Sequence, residues 1–329
     1  MNLKNEPKQT PLVKIEHLFY HAEMESPEPR LTEVGYLEVE CKSAMNPVKG
    51  MGFGWSLNPY TGCEHRCAFC YVRAYELRAD RPSDDRYGRT IRVKVNVAAV
   101  LRGELARKSW RKESVVIGAA TDPYQPAEGR FRLTRQCLEV LHDFANPTGM
   151  ITRGPMIVRD IDILTELARR ATLHITFSIP TVDDDVWRRT EPGTAHPKQR
   201  LRAIEKLVAA GIDVGVGLAP ILPGLSDRPD RLEAVVKAAR AAGATGLWSN
   251  MLHLRDGTRE HFMSVLERHW PELLPRYEET YRDRAYLPAA FGEATMREVG
   301  RLRAVHGVSD RRRIILKPPP EPEQLSLLA

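Results

Sequence analysis

The sequence contains little that would suit a membrane or secreted protein. Although 42% of its 329 residues are hydrophobic, it has no run of about 18 apolar residues of the kind that spans a bilayer. The first residues, Met1–Thr10, are polar, so we expect no signal peptide. There are only five cysteines, and nothing else indicates export, so we expect no disulfide framework. These absences predict a cytoplasmic protein without a membrane partner.

Common catalytic signatures are also missing. The chain has no P-loop and no Gly-x-Ser-x-Gly motif. Gly215 and Gly217 lack a third glycine at the dinucleotide-binding spacing, so close packing within a strand explains them better. His253, His261 and His269 are eight residues apart, which does not place two of them together as ligands on one helix face. The sequence therefore gives no sign of a nucleotide-binding P-loop or a serine hydrolase.

Three of the five cysteines form a compact motif. Cys63, Cys67 and Cys70 have the spacing C-x3-C-x2-C, with a turn before them and a helical pattern after them. Three thiolates in one loop suit an iron–sulfur cluster, and they would leave one iron of a four-iron cluster open for a ligand. Zinc with His65 as a fourth ligand is an alternative, although His65 would have to fold back onto the metal. Inert thiols are the remaining alternative.

This spacing, with Phe69 just before the third cysteine, resembles the signature of the radical S-adenosylmethionine (SAM) enzymes. The resemblance implies that Cys63, Cys67 and Cys70 hold a 4Fe-4S cluster whose open iron chelates the amino and carboxylate groups of SAM. It implies that Phe69 lies near the adenine. It also implies reductive cleavage of SAM to a 5′-deoxyadenosyl radical, which abstracts hydrogen from a substrate, and an electron donor such as flavodoxin or ferredoxin.

The rest of the chain alternates short apolar runs with helical patterns. The runs predict six strands, at residues 54–58, 114–119, 149–152, 172–179, 213–219 and 245–250. Strands separated by helices imply a parallel α/β sheet with right-handed crossovers. Six such units resemble the partial (β/α)6 barrel of radical SAM cores, whereas periodicity alone fits a doubly wound sheet equally well.

The changes in pattern also predict how the chain is divided. We expect an irregular N-terminal segment over residues 1–50 and the cluster-binding core over residues 51–251. A helical C-terminal extension is expected over residues 252–310, with helices at 258–269, 272–284 and 294–304. Residues 311–329 read as a flexible tail, because three consecutive prolines follow Lys317.

Polar residues follow several predicted strands, where function gathers in parallel barrels. Asp122 can pair with an ammonium group, and Arg153 can bind a carboxylate through two hydrogen bonds. Together they would grip an amino acid moiety at an open iron. Ordinary caps and turns are the alternative, because Thr121-Asp122-Pro123 is also a good turn sequence.

Several motifs together resemble the spore photoproduct lyase-like branch of the radical SAM enzymes. They are the cysteine loop with its Asn-Pro-Tyr lead, residues 121–126 (TDPYQP), the pair Glu191-Pro192 and the turn at 219–224 (APILPG). The resemblance implies that Thr121 and Asp122 contact the SAM amino group and that Arg153 contacts its carboxylate. It also places Ser178 at the methionyl or ribose part and the backbone of Ala219 at the adenine.

One departure from this branch affects the expected reaction. Ala119 stands where the lyases have a cysteine hydrogen donor. The resemblance therefore indicates a relative of the lyase with a different or unknown substrate, and no residue that acts on the substrate is assigned.

Positive charge is concentrated beside the cysteine motif. Residues 73–112 contain twelve cations and five acids, whereas the whole chain has a net charge of +6. Such a segment at the mouth of a barrel predicts binding of DNA or RNA. Arg311-Arg312-Arg313 could add phosphate contacts. The alternatives are solvated arginines with a peptide or small-molecule substrate, and a non-catalytic metal protein that binds nucleic acid.

Overall fold

The computed structural model describes residues 34–311. The strands in this range are β1 (Gly35–Val39), β2 (Met45–Pro47), β3 (Trp55–Leu57), β4 (Tyr60–Thr61), β5 (Thr90–Lys94), β6 (Val115–Ile117), β7 (Thr148–Thr152), β8 (Leu173–Ser178), β9 (Val214–Ile221), β10 (Gly246–Met251) and β11 (Ser309–Asp310). The helices are α1 (Arg73–Arg78), α2 (Val97–Leu105), α3 (Ala127–Phe131), α4 (Leu133–Asp143), α5 (Ile161–Arg170), α6 (Asp184–Thr190), α7 (Pro197–Ala209), α8 (Pro229–Ala241), α9 (Thr258–His269), α10 (Leu274–Tyr281) and α11 (Ala289–His306). Two short 3-10 helices cover Pro155–Asp160 and Pro271–Leu273.

The main sheet has the strand order β11-β10-β9-β8-β7-β6-β3-β2. Its six central strands, β3 and β6 to β10, are parallel and follow one another in chain order. Strand β2 pairs antiparallel with β3 at one edge, and β11 lies at the other. The sheet therefore stays open in this part of the chain. The predicted six-unit parallel architecture is confirmed.

Burial explains why these segments became strands and helices. All three residues of β6 are buried, as expected for a parallel strand covered on both faces. In α8, Leu232, Val235, Val236 and Ala239 are buried at the spacing of one helix face. The buried side chains of these strands and helices form one continuous hydrophobic core between the sheet and the surrounding helices.

The segment predicted to be irregular contains two strands within its described part. Strand β1 pairs parallel with β5, and β5 pairs antiparallel with β4, which gives a separate three-stranded sheet. The prediction also missed β5, although its burial alternates, with Ile91 and Val93 inside. These strands escaped notice because they are short and β1 is largely exposed. Residues 1–33 lie outside the described residues.

The C-terminal extension has the three predicted helices, with α9 at the predicted bounds, but it also contains β11. Helix α11 joins the main core through Val299 and Leu302. Helices α9 and α10 instead form a second hydrophobic cluster that includes Cys67 and Phe69. The extension therefore packs directly on the cysteine loop. The predicted tail beyond Arg311 lies outside the described residues.

None of the helices described between residues 34 and 311 is both long and apolar enough to cross a membrane.

Candidate active site

The cysteine loop lies between β4 and α1 and is tied to the carboxyl end of β6. Thr121 Oγ1 donates to the Gly62 carbonyl at 2.6 Å, and Gln125 Oε1 accepts from the Glu64 amide at 2.9 Å. The Gln125 side chain is completely buried. Its Nε2 donates to Thr121 Oγ1 at 2.9 Å. This buried amide therefore specifies one position of the loop, because a shift would leave its donor and acceptor unsatisfied.

The other half of the loop is held by Arg73, the first residue of α1. Its side chain is 1% exposed and lies over the Tyr87 ring, 4.6 Å from the centroid. It donates to four backbone carbonyls, those of Arg66, Cys67, Ser83 and Asp84. The five donors of a guanidinium in fixed geometry suit this arrangement. Arg73 therefore fixes the backbone conformation of the loop through these hydrogen bonds.

Two glycines let neighbouring backbone approach the loop closely. A side-chain carbon at Gly88, whose φ is +75°, would lie 2.2 Å from the Cys63 carbonyl oxygen. A side-chain carbon at Gly193 would lie equally close to the Glu64 carbonyl oxygen. No other residue fits at either position, because such contacts are shorter than van der Waals packing permits.

The three thiols of the loop share one environment. Cys63 and Cys67 are buried, and Cys70 is partly buried with its Sγ 3.7 Å from the Tyr87 hydroxyl. Burial raises the pKa of Cys67 to about 12, and it raises the pKa of Cys63 well above its ordinary value. The neighbouring thiols raise both values further, so the thiols lie within range of one another's charge.

The donor chemistry fits an iron–sulfur cluster. Three soft sulfur ligands from one loop are the set that iron–sulfur centres use. Among residues 34–311, however, no group of three or more Cys, His, Asp or Glu side chains meets the spacing of a closed metal site. Burial raises the pKa of Cys63 and of Cys67, so binding of iron to these two sulfurs would displace protons.

Asp122 joins the end of β6 to the end of β7. Its Oδ1 accepts from Thr152 Oγ1 at 2.7 Å and from the Tyr124 amide at 2.9 Å, while Oδ2 accepts from the Arg153 amide at 2.6 Å. His65 Nδ1 lies 3.3 Å from Oδ2 without the alignment of a hydrogen bond. Burial raises the pKa of Asp122, but His65 and these donors outweigh it and lower the pKa to about 2. Asp122 is thus a buried carboxylate that is surrounded by three donors and by His65.

Arg153 and Arg200 share the carboxylate of Glu191. Arg153 Nε lies 2.8 Å and Arg200 Nη1 3.1 Å from Glu191 Oε1, and Glu191 and Arg200 are fully buried. Two cations against one anion leave a surplus positive charge. Burial lowers the pKa of Arg153, but the negative charges of Cys67, when ionised, and of Glu191 raise it by more, so the group stays charged.

The position of Arg153 supports a ligand-binding role. Its guanidinium carbon lies 5.6 Å from the centroid of the Phe69 ring, inside the cysteine loop. Its side chain is 20% exposed. Within the described residues only its Nε has a hydrogen-bond acceptor, so both terminal nitrogens remain for a ligand carboxylate.

The remaining predicted site residues lie at neighbouring strand ends. Ser178 Oγ, at the end of β8, donates to the Ala219 carbonyl of β9 at 3.1 Å. Phe69 is buried in the second hydrophobic cluster. Thr121, Asp122 and Arg153 complete the set on β6 and β7. The structure therefore brings all the predicted residues to one end of the sheet, while their individual roles stay predictions.

Comparisons with known proteins agree with this arrangement. The family model described as the Radical SAM superfamily matches residues 57–232, which include the cysteine loop and strands β4 to β9. The chain belongs to the radical SAM superfamily.

Relatives of this radical SAM protein include an uncharacterised protein of Mycobacterium tuberculosis strain H37Rv, which is 38% identical over 299 residues, 90% of this chain and 87% of the relative. A Radical SAM Nalpha-GlyT isomerase of Pseudomonas phage M6 is 28% identical over 173 residues, 52% of this chain and 34% of that protein. The fold is similar to that of a spore photoproduct lyase mutant with bound AdoMet and dinucleoside spore photoproduct, at a TM-score of 0.60 and 16% identity, covering 82% of this chain and 78% of that one.

Sequence reasoning missed several residues that build this radical SAM site. Gln125 lies inside a stretch that was recognised as a motif, and Glu191 inside another, yet neither received a role. Arg200 had no local signal, because its partners come from β8 and from the loop that precedes α7. Arg73 was counted as one more cation of the basic segment. Only tertiary contacts distinguish these buried residues from solvated ones.

Fewer cations of the basic segment, residues 73–112, are available to a ligand than the sequence indicated. Besides the buried Arg73, three of its arginines are paired: Arg81 with Glu76, Arg86 with Asp84, and Arg102 with Asp143. In the expected phosphate-binding triplet, Arg311 pairs with Asp213 at 2.7 Å; the other two arginines lie outside the described residues. These pairings reduce the charge that the segment offers to a nucleic acid.

Proposed function

We propose that this radical SAM protein holds a 4Fe-4S cluster through Cys63, Cys67 and Cys70, binds SAM beside it, and acts on a nucleic acid. The observation that carries the first two parts is the position of three thiols in one buried loop next to a surplus positive charge at Arg153 and Arg200. Such a charge compensates thiolates or a ligand carboxylate in a poorly hydrated site. When bound, the cluster would supply the electron that cleaves SAM to a 5′-deoxyadenosyl radical.

The chain's own residues would orient the SAM molecule. The two free nitrogens of Arg153 would bind the methionyl carboxylate, and the negative charge of Asp122 would attract the ammonium, with Thr121 beside it. Ser178 and the Ala219 backbone hold the ribose and adenine side, and Phe69 packs nearby. Because Glu191 and Arg200 fix Arg153, the carboxylate site is set before SAM binds, which lowers the entropy lost on binding.

The nucleic-acid part of the proposal rests on charge and on a fold neighbour. The spore photoproduct lyase with the similar fold was solved with a dinucleoside spore photoproduct. Ala119 replaces the expected hydrogen-donating cysteine, so we propose a modification reaction rather than photoproduct repair. An electron donor such as flavodoxin or ferredoxin, in the cytoplasm, would supply the reducing electron.

Anaerobic loading with iron and sulfide tests the cluster. We expect the wild-type protein to take up iron and to show visible thiolate-to-iron charge-transfer absorbance. Cys63→Ser should lose that absorbance, whereas Cys41→Ser, outside the loop, should keep it. A protein that binds one zinc ion tightly and takes up no iron would contradict the proposal.

Filter binding at two salt concentrations tests the substrate class. Because phosphate contacts release counterions, affinity for DNA or RNA should fall by orders of magnitude as salt rises. Absence of binding at low salt would contradict a nucleic-acid substrate and leave the cluster assignment unaffected.

A further inference from the structure

A cleft of about 400 Å³ lies next to the cysteine loop, between α1 and the C-terminal extension. Two contacts place it there: Thr258 Oγ1, at the start of α9, donates to the Cys70 carbonyl at 3.0 Å, and a side-chain carbon at Gly257 would meet the Arg73 carbonyl oxygen at 3.1 Å. Its size is that of a small-molecule site. A ligand in this cleft would therefore lie beside the cysteine loop.

The cleft is positively charged. Its charged lining residues are Arg78, Arg255, Arg259, Arg284, Asp256 and Asp283. Within residues 34–311 none of the four arginines forms an ion pair with a carboxylate, so the cleft keeps an excess of positive charge. Arg259 is held in place by three backbone carbonyls, those of Leu254, Arg282 and Arg284. Arginines without carboxylate partners favour an anionic ligand.

A row of aromatic rings adjoins the same cleft. His253 stacks on Tyr286 with centroids 5.3 Å apart and an interplanar angle of 17°, and its other neighbour is Tyr71 at 6.0 Å. Tyr71 contacts Tyr75 edge to face at 5.9 Å. The two ends of the row are open to solvent, with Tyr286 57% and Tyr75 41% exposed. Both end rings therefore present a face or an edge to which a flat ligand has access.

Arginines of the cleft connect it to both ends of the row. Arg255 Nη2 lies 3.4 Å from the Tyr286 hydroxyl, and Arg78 lies over the Tyr75 ring, 5.5 Å from its centroid. Tyr71, in the middle of the row, is the residue after Cys70. Unpaired cations that alternate with exposed rings match what single-stranded nucleic acids need, with phosphates on the cations and bases on the rings.

We propose that this surface, which we call the arginine–tyrosine surface (Arg78, Arg255, Arg259, Arg284, Tyr75 and Tyr286), binds single-stranded nucleic acid. The proposal rests on the proposed function and assigns its substrate to a surface. Phosphates occupy the cleft, and unpaired bases stack on Tyr286 and Tyr75. A duplex fits less well, because its base faces are already stacked on one another and cannot reach the rings.

Fluorescence anisotropy with the full-length protein tests the assignment. The probes are a short labelled DNA strand, an RNA strand of the same sequence, the corresponding DNA duplex, heparin and polyglutamate. We expect the single strands to bind more tightly than the duplex. The strand with the higher affinity, DNA or RNA, indicates which nucleic acid is the natural ligand. Polyglutamate binding as tight as that of the strands would overturn the proposal in favour of an acidic peptide.

Charge reversal locates the binding surface. Arg78→Glu with Arg284→Glu should weaken strand binding by about tenfold or more and make the plot of log affinity against log salt shallower by about 1.4, for two lost phosphate contacts. Arg202→Glu with Arg240→Glu, two exposed arginines of α7 and α8, change the net charge equally. This control pair should change affinity by less than about threefold. An equal loss of strand affinity in the test pair and in the control pair would overturn the assignment to this surface.

Removal of one ring separates stacking from charge. Tyr286→Ala should weaken binding of the strands about tenfold but leave heparin binding unchanged, since heparin has no bases. If the strands bind and neither Tyr286→Ala nor the arginine pair matters, the surface is wrong while a nucleic-acid substrate survives. If no nucleic acid binds, both the assignment to this surface and the proposed nucleic-acid substrate are wrong. Thermal unfolding of each variant checks that it is folded.

Discussion

Two groups of arginines border the cysteine loop, and they differ in how their charge is compensated. Arg200 is fully buried, Arg153 is 20% exposed, and both share the carboxylate of Glu191. Arg78 and Arg284 line an open cleft and have no carboxylate partner among the described residues. A buried charge must be paired to be stable, whereas an exposed one can stay free for a ligand. Loss of charge compensation should therefore cost more stability in the first group than in the second.

The largest effect is expected from removal of the shared carboxylate. Glu191→Ala leaves the fully buried Arg200 and the partly buried Arg153 without their shared carboxylate, so the free energy of unfolding should fall by about 3–5 kcal/mol. Glu166→Ala breaks an exposed pair with Arg169 and should cost less than about 1 kcal/mol. Urea unfolding of the full-length protein measures both. If the free energy of unfolding falls by a similarly small amount in both variants, the proposed difference between paired buried arginines and exposed ones is wrong.

The next effect is a pH dependence at Asp122, whose pKa falls from 3.8 to about 2 on folding. A lowered acid pKa stabilises the fold above the unfolded value, and this contribution disappears as pH falls through the folded value. In metal-free protein, the stability difference between wild type and Asp122→Asn should therefore shrink by about 2 kcal/mol between about pH 5 and pH 2. A difference that does not change with pH would show that the carboxylate is not held in this way.

Arg153 should affect ligand binding more than the cluster. Arg153→Ala removes the proposed donors to the SAM carboxylate, and loss of a charge-assisted contact should weaken SAM binding about tenfold or more. Calorimetric titration measures SAM affinity, and iron analysis of the same samples provides the control. Loss of iron in parallel with SAM affinity would place Arg153 among the residues that support the loop.

The smallest effect is expected in the cleft. Arg284→Ala removes an exposed side chain without a carboxylate partner, so the free energy of unfolding should change by less than about 0.5 kcal/mol. Urea unfolding measures it beside Glu191→Ala. A loss as large as that of Glu191→Ala would show that the cleft is part of the structural network.

The sequence predicted the central sheet because its strands are buried apolar runs that alternate with helices. β1, β2 and β5 were missed because they are short and two of them belong to a separate small sheet. Polar residues at the strand ends were found, since parallel strands bring their carboxyl ends together. The role of Arg200 depends on how the loop before α7 folds back against the end of β8, which no periodic pattern in the sequence indicates.

The net charge of a sequence window was a poorer guide to the surface that could bind a nucleic acid. Arg73 was treated as a cation available to nucleic acid, yet it is buried and binds backbone carbonyls of the loop. Arg255 and Arg284, which line the cleft, lie some 180 residues or more along the chain from Arg73. A charge patch assembled by tertiary structure cannot be read from net charge in a sequence window.

The most direct test of the central claim is formation of 5′-deoxyadenosine from SAM. Protein reconstituted anaerobically with iron and sulfide is reduced in the presence of SAM, and the nucleoside is quantified by chromatography. We expect the wild-type protein and Cys41→Ser to form it and Cys67→Ser to form none. Wild-type protein that carries the cluster and binds SAM but yields no 5′-deoxyadenosine would contradict the account.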